Sequence, residues 1–265
     1  MKDLQRRLKM SLVEYEKKDH LVTIMMNRPD KLNAINPEML TALREAWIRY
    51  HDDEDAWLAI FTGAGKAFSS GADKVWFEKA LEGQDTLGIF LNSIKKDLYW
   101  SGMLDKPTIV AINGYAIGAG LDLVLRADLR VAAQSAIFQE PEVARGNIVI
   151  FHDNLPCAIA AEIISGFRIT AQRAYDVGMI NRVVPDDKLM DAAMEMAEEL
   201  LSRVPLALYH ALKILRDMKN AATLFPRHLV DHYTTELSKG LTKTDDHQEA
   251  VTAFLKKKKP VFKKR

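Results

Sequence analysis

The feature that most constrains this chain is the alternation, through its first half, of short apolar runs with stretches of helical spacing. Trp57–Thr62, Thr108–Ile112 and Leu129–Ala132 read as short apolar strands. Leu12–Tyr15 and Leu21–Met26 add two more around the turn-like Lys17, Lys18 and Asp19. Asn36 before Pro37 predicts a helix start, with a capping side chain and then a proline at the first helical position. Leu40, Leu43, Trp47 and Tyr50 continue it at helical spacing. Strands alternating with helices predict βαβ-type units and a mainly parallel sheet. Beyond about Asn154 the signals turn helical. Thr170 is placed to cap a helix that stops at Gly178, and Asp186 to cap one carrying Leu189, Ala193, Met196 and Leu200. Pro205 opens another, with Leu208, Leu212 and Leu215 on one side.

With 265 residues, 48% of them hydrophobic, the chain can bury a sizeable core. A formal net charge of +1 gives no global electrostatic case for nucleic acid or acidic membranes as partners. The basic run Lys256, Lys257, Lys258, Lys259, Lys263, Lys264, Arg265 reads as a solvated tail or as a phosphate contact. The single cysteine, Cys157, excludes an intramolecular disulfide and reads as a small apolar side chain. No apolar run is long enough to span a bilayer, and Met1–Met10 has no apolar signal region. A cytoplasmic location is the expectation.

Two glycine patterns invite a nucleotide reading, and both fail. The first glycine of a Walker loop ending at Gly65-Lys66 would have to be Ile60, and the third glycine of a fingerprint starting at Gly118 would have to be Leu123. A different use fits. Between the strand ending at Ile112 and an apolar helix lies Gly114-Tyr115-Ala116-Ile117-Gly118-Ala119-Gly120. The first N–H groups of a helix lack partners within it and sit at the positive end of its dipole. They can stabilise a negative oxygen. Close helix–strand packing would call for the same glycines, and the pattern alone leaves both readings open.

Here the chain resembles a known family. Asn113-Gly114-Tyr115-Ala116-Ile117-Gly118-Ala119-Gly120-Leu121-Asp122-Leu123, followed by Ala127-Asp128-Leu129-Arg130-Val131-Ala132, is similar to the signature of the crotonase superfamily, that is, the enoyl-CoA hydratase/isomerase family. Gly65-Lys66-Ala67-Phe68-Ser69-Ser70-Gly71-Ala72-Asp73, Asn27-Arg28-Pro29 and Asn33-Ala34-Ile35 resemble its upstream blocks. Thr170–Ala174, Gly178–Val184 and Ala253–Phe262 resemble its later ones.

The resemblance implies an α/β fold: a spiral of ββα units (residues 1–195) with a helical C-terminal region (196–265) for trimerisation and pocket covering. It implies a homo-oligomer, a trimer or a dimer of trimers, and an acyl-CoA substrate with coenzyme A as part of that substrate. No separate cofactor and no metal are expected. By position, the N–H groups of Ala72 and Ala119 would hold the thioester oxygen. Asp122 and Glu142 would stand where hydratases carry two catalytic glutamates. Arg28, Lys31, Leu32, Ala34, Ala72, Asp73, Lys74, Val75, Ala119 and Lys257 would bind coenzyme A or substrate, Lys257 as a phosphate contact donated by a neighbouring subunit.

Three departures stand out. Residue 119 is alanine where the family usually has glycine. Asp122 is one methylene shorter than glutamate, which draws its carboxylate back by about 1.5 Å. Gly146–Asn154 replaces a glycine- and proline-rich loop with bulky apolar residues and His152-Asp153. The resemblance therefore implies a carbon–oxygen lyase adding water to a 2,3-unsaturated acyl-CoA. It leaves open an enoyl- or dienoyl-CoA isomerase and a CoA-thioester or ring-cleaving hydrolase. Trp76, Phe77, Leu81, Ile89, Phe90 and Leu91 are candidates to line the acyl pocket.

Overall fold

The structure is a computed structural model that describes residues 11–147, 155, 157–221, 239–240 and 242–261. Val13–Lys18 (β1) and Leu21–Met26 (β2) form an antiparallel hairpin, paired from Val13 with Met26 to Lys18 with Leu21. The first strand runs to Lys18, three residues past the expected Tyr15, and the turn falls at Asp19, in the left-handed region with φ 52°. The outer strand is largely exposed, so its lysines can sit in water while its backbone stays paired.

β2 continues into a parallel series with Leu58–Gly63 (β3), Thr108–Ile112 (β5), Leu129–Ala133 (β7) and Arg182–Val184 (β10). This sheet is buried on both faces, which is why its strands read as continuous apolar runs. Side chains alternate as a pleat requires. Ala59, Phe61, Val110, Ile112 and Ala132 enter the larger core, while Leu58, Ile60, Ile109, Ala111 and Val131 enter a second one.

A smaller sheet supplies what the glycine-rich stretches concealed. Ala67–Ser69 (β4), Tyr115–Ile117 (β6) and Ile137–Gln139 (β8) run parallel, and Ile169–Thr170 (β9) closes the edge antiparallel to β8. After each central strand the chain steps to this sheet and returns through helix, which is the expected ββα winding. The three-residue strands escape detection because alternation over so short a span leaves no periodic signal.

Two of the three predicted caps, Asn36 and Thr170, start helices. Asn36 accepts from the Met39 N–H at 2.9 Å and starts Pro37–Asp52 (α1), whose Trp47 stacks on Tyr99 and meets Phe61 edge-on. Lys74–Leu81 (α2), Thr86–Lys95 (α3) and Ala119–Arg126 (α4) follow, then Cys157–Ile164 (α5). The side chain of Cys157 lies outside the described residues, as do His152 and Asp153. Thr170 caps Ala171–Asp176 (α6). Asp186 does not cap Leu189–Leu201 (α7): it opens a 3-10 turn, and its carboxylate accepts from the Ser135 N–H at 3.1 Å. α7 covers the second core and runs straight through the boundary expected at residue 195. Pro205–Ala221 (α8) and Asp245–Leu255 (α9) complete the described helices. No helix among the described residues is long and apolar enough to cross a membrane.

One ion pair docks α8 on the spiral. Arg216 meets both oxygens of Asp128 at 2.8 and 2.7 Å and donates to the Leu104 carbonyl at 2.8 Å. Asp128 also accepts from the Thr108 N–H at 2.9 Å. Asp128→Ala strips both partners, and removing one member of such a pair leaves the other without its counter-charge. Urea denaturation is expected to show a loss of about 2–4 kcal/mol, with Asp128→Asn losing less because its remaining oxygen keeps the Thr108 bond.

Candidate active site

The site begins at two strand ends. β4 and β6 lie side by side, and each turns sharply into a helical segment. Gly118, at the start of α4, has φ 53° and ψ −123°, a conformation open essentially to glycine alone. The first bond closing the helix runs from the Asp122 N–H to the Gly118 carbonyl at 3.1 Å, so the Ala119 N–H has no acceptor within the helix. At the neighbouring turn, the Gly71 carbonyl accepts from Ile35 at 2.8 Å and the Asp73 N–H donates to the Ile35 carbonyl at 3.0 Å. The Ala72 N–H between them is left out of that ladder. Neither the Ala72 nor the Ala119 N–H has a backbone acceptor among the described residues. The two turns touch: a methyl on Gly71 would come within 2.5 Å of the Ile117 carbonyl and 3.4 Å of the Ala119 nitrogen.

A cleft of about 510 Å³ runs up to this point, lined by Arg28, Lys31, Leu32, Ala34, Asp73 and Lys74 among others. It adjoins a chamber of about 100 Å³ walled by Trp76, Phe77, Phe90 and Ala119. Ala72 and Glu142 border both spaces.

Glu142 opens a 3-10 turn, Glu142–Arg145, just after β8. Burial pushes its carboxyl up to about 7, the charge of Glu140 pushes in the same direction, and Arg145, 3.3 Å away, opposes both. Glu140 is almost fully buried and lines the chamber. Both carboxylates approach Gly118: a methyl placed there would sit 3.4 Å from a Glu142 oxygen and 3.7 Å from one of Glu140. A carboxylate pair thus stands beside two unpaired N–H groups at the junction of a basic cleft and an apolar chamber.

Residues 16–265 match the family model described as enoyl-CoA hydratase/isomerase. The chain belongs to the enoyl-CoA hydratase/isomerase family. A carnitinyl-CoA dehydratase of Salmonella enteritidis PT4 is 34% identical over 258 residues, covering 92% of this chain and 95% of the relative. The solved carnitinyl-CoA hydratase of Mycobacterium avium is 31% identical, with a TM-score of 0.83 over 97% of this chain and 100% of that one. A methylmalonyl-CoA decarboxylase solved with 2-nitronate-propionyl-CoA is 25% identical, with a TM-score of 0.84 over 96% and 99% of the two chains. The fold is the crotonase spiral, and the chain is a hydratase-like enzyme of that family.

In this family member the residues expected at the site divide. Arg28, Lys31, Leu32, Ala34, Ala72, Asp73, Lys74, Ala119 and Glu142 line the two spaces, whereas Val75 and Lys257 do not. Val75 packs against the core, and Lys257 is exposed beyond α9. Asp73 turns out to be a local organiser. It caps α2 through the Val75 N–H at 3.1 Å and ion-pairs with Arg28. Burial raises its carboxyl, but the Arg28 and Val75 bonds outweigh that and hold it below the usual range.

Asp122 departs furthest from expectation. It is fully buried, takes the Trp100 indole N–H, lies 3.4 Å from Arg126, and does not line the chamber. The shorter side chain leaves it inside the protein, and Glu140 is the second carboxylate brought to Glu142. The signal for Glu140 was present. It lay in the second carboxylate two residues before Glu142, although the chain is not extended there: it turns at Pro141 (φ −89°, ψ 4°) into the 3-10 turn that Glu142 opens. Of the acyl-pocket candidates, Trp76, Phe77 and Phe90 line the chamber, while Leu81 and Ile89 are exposed. The close-packing reading of the glycines is met at Gly120, which packs against Ser69, while Gly118 shapes the turn.

Gly71→Ala is expected to cost about 1–3 kcal/mol of stability, from the left-handed φ of 86°. It should also lower turnover of a CoA-thioester substrate ~100-fold, by displacing the Ala119 N–H. Thermal melts and kinetics on the same sample separate the two effects.

Proposed function

We propose that the chain catalyses the reversible addition of water across the 2,3 double bond of an acyl-CoA. The observation that carries this reading is the convergence of Glu140 and Glu142 on the Gly118 turn, beside the N–H groups of Ala72 and Ala119. The hydratase and dehydratase relatives support it. The thioester oxygen accepts from both N–H groups, which favours the enolate over the ground state. One carboxylate takes a proton from water as its oxygen bonds to C3. The other delivers a proton to C2. Dehydration reverses each step. A carboxyl near 7 is suited to this exchange at neutral pH. Glu142 is the main acid and base, Glu140 its partner, and Asp122 holds the Trp100 indole against α4 and pairs with Arg126 one turn along it. Arg28, Lys31 and Lys74 face the coenzyme A phosphates. Exposed Leu206, Ile214 and Leu215 on α8 support trimeric assembly.

Incubation of crotonyl-CoA in heavy-oxygen water tests the reaction: one labelled oxygen at C3 is expected, and an isomer of unchanged composition would instead favour double-bond migration. Glu142→Gln should lower kcat ~100- to 1000-fold, at the upper end of general acid–base effects. It should also change stability with a defined sign. The native carboxyl keeps its proton up to about 7 while the unfolded one releases it near 4.5, so the native state loses stability as pH rises through that window. Denaturation is therefore expected to show Glu142→Gln more stable than the parent at pH 8 by roughly 1–3 kcal/mol, and about equal at pH 4.

A further inference from the structure

The turn that carries Glu142 is fastened by a distant part of the chain. Arg145, three residues on in that turn, places its guanidinium 3.3 Å from the Glu142 carboxylate. The same guanidinium lies over two rings, 4.3 Å from the centre of Phe254 on α9 and 5.4 Å from that of Phe77 on α2. The two rings meet each other edge-on at 5.6 Å. All three side chains border the cleft, and Phe77 also walls the chamber. α9 touches the turn again seven residues earlier: a methyl on Gly146 would lie 3.1 Å from the His247 Cα. Positions seven apart share a helix face, so one face of α9 makes both contacts.

Apolar burial is a weak reason for this arrangement, since Phe254 remains 43% exposed. A guanidinium is planar and always charged, and it can stack on its faces while its edge donates. Held over two rings, it meets the carboxylate with its orientation already set. Charge acts through the same contact. Glu140 pushes the Glu142 pKa up, and Arg145 pulls it down. His247 on α9 lines the same chamber, and Asp73 and Lys74 at the start of α2 border the cleft. Among the described residues, Arg145 is the cation paired with Glu142.

We propose that Arg145 is a positioning residue: clamped between the Phe77 and Phe254 rings, it sets the direction and the charge of the Glu142 carboxylate at the Gly118 turn, which makes the packing of α9 part of the catalytic geometry. The proposal rests on the hydration reading above and names the residue that readies its main base.

Two titrations of the full chain test it. Infrared difference spectra, parent minus Glu142→Gln, follow the protonation of Glu142 without turnover. The pH profile of kcat/KM for crotonyl-CoA hydration follows its use. Removing a cation beside a carboxylate raises the pKa of that carboxylate. Arg145→Met is therefore expected to move the infrared titration and the acid limb of kcat/KM upward by about 1–2 pH units. Arg145→Lys keeps the charge but loses the planar stack. Its acid limb should return toward the parent's while kcat stays roughly tenfold down, because the carboxylate is charged but misdirected. Phe254→Leu, which keeps Arg145 and removes one ring, should shift both curves in the same direction as Arg145→Met by a smaller amount. A residue that only anchors α9 would lower thermal stability in these variants and leave both curves in place. That result would overturn the proposal, as would a Phe254→Leu profile that superimposes on the parent's. If Arg145→Met fails to fold, Arg145→Lys and Phe254→Leu decide on the same readouts. Shifted infrared titrations in a protein that hydrates no crotonyl-CoA would support the clamp and remove only the assigned reaction.

Discussion

The site depends on the parallel alignment of β4, β6 and β8. Parallel neighbours end at the same edge, so the segments leaving them must turn side by side. Ala72 follows β4, Ala119 follows β6, and Glu140 and Glu142 follow β8. Ligands of α/β proteins gather outside the carboxyl ends of parallel strands for this reason. What distinguishes this chain is how closely the first two exits approach, with Gly71 set against the Ile117 carbonyl. That contact leaves no room for a side chain, and it keeps two N–H groups near each other without bonding them to anything in the backbone.

The remaining features serve that edge. The central parallel strands of the six-stranded sheet, buried on both faces, give the short strands a floor. Asn33 holds the cleft loop from beneath: its side chain donates to the Ala64 and Ala67 carbonyls and accepts from the Arg28 N–H. Leu32 and Asn33 keep left-handed backbone there, a strain the surrounding bonds sustain. At the roof, the Arg145 guanidinium lies over the rings of Phe254 and Phe77, tying α9 to α2 and to the Glu142 turn. The arginine that opposes the rise in the Glu142 pKa is thus the one that fastens the C-terminal helix.

Charge is used locally. The chain is nearly neutral, yet Arg28, Lys31, Lys74, Arg145 and Arg168 all border the cleft. A cluster of that kind can steer an anionic cofactor moiety without making the whole protein basic. Arg168 and Tyr115 line the cleft too; Tyr115 lies within the glycine-rich motif without having been singled out, and no pattern in the sequence marked Arg168.

By itself the sequence determined the strand and helix elements with strong signals, the caps at Asn36 and Thr170, the family, and the backbone positions of Ala72 and Ala119. The elements and caps follow from local rules, apolar periodicity and capping chemistry, whereas the family and the positions of Ala72 and Ala119 came from the resemblance of the motifs. Only the tertiary structure decided which carboxylates meet. The resemblance puts Asp122 and Glu142 at the family's two carboxylate positions, but whether a side chain reaches a cavity depends on its length and on what packs over it. Trp100 and Arg126 hold Asp122 inside, while Glu140 and Glu142, at the turn after β8, both approach Gly118. The placement of His247 against the Glu142 turn was likewise invisible, because a contact between residues more than a hundred positions apart has no local signature; it exists only once α9 is folded onto the spiral.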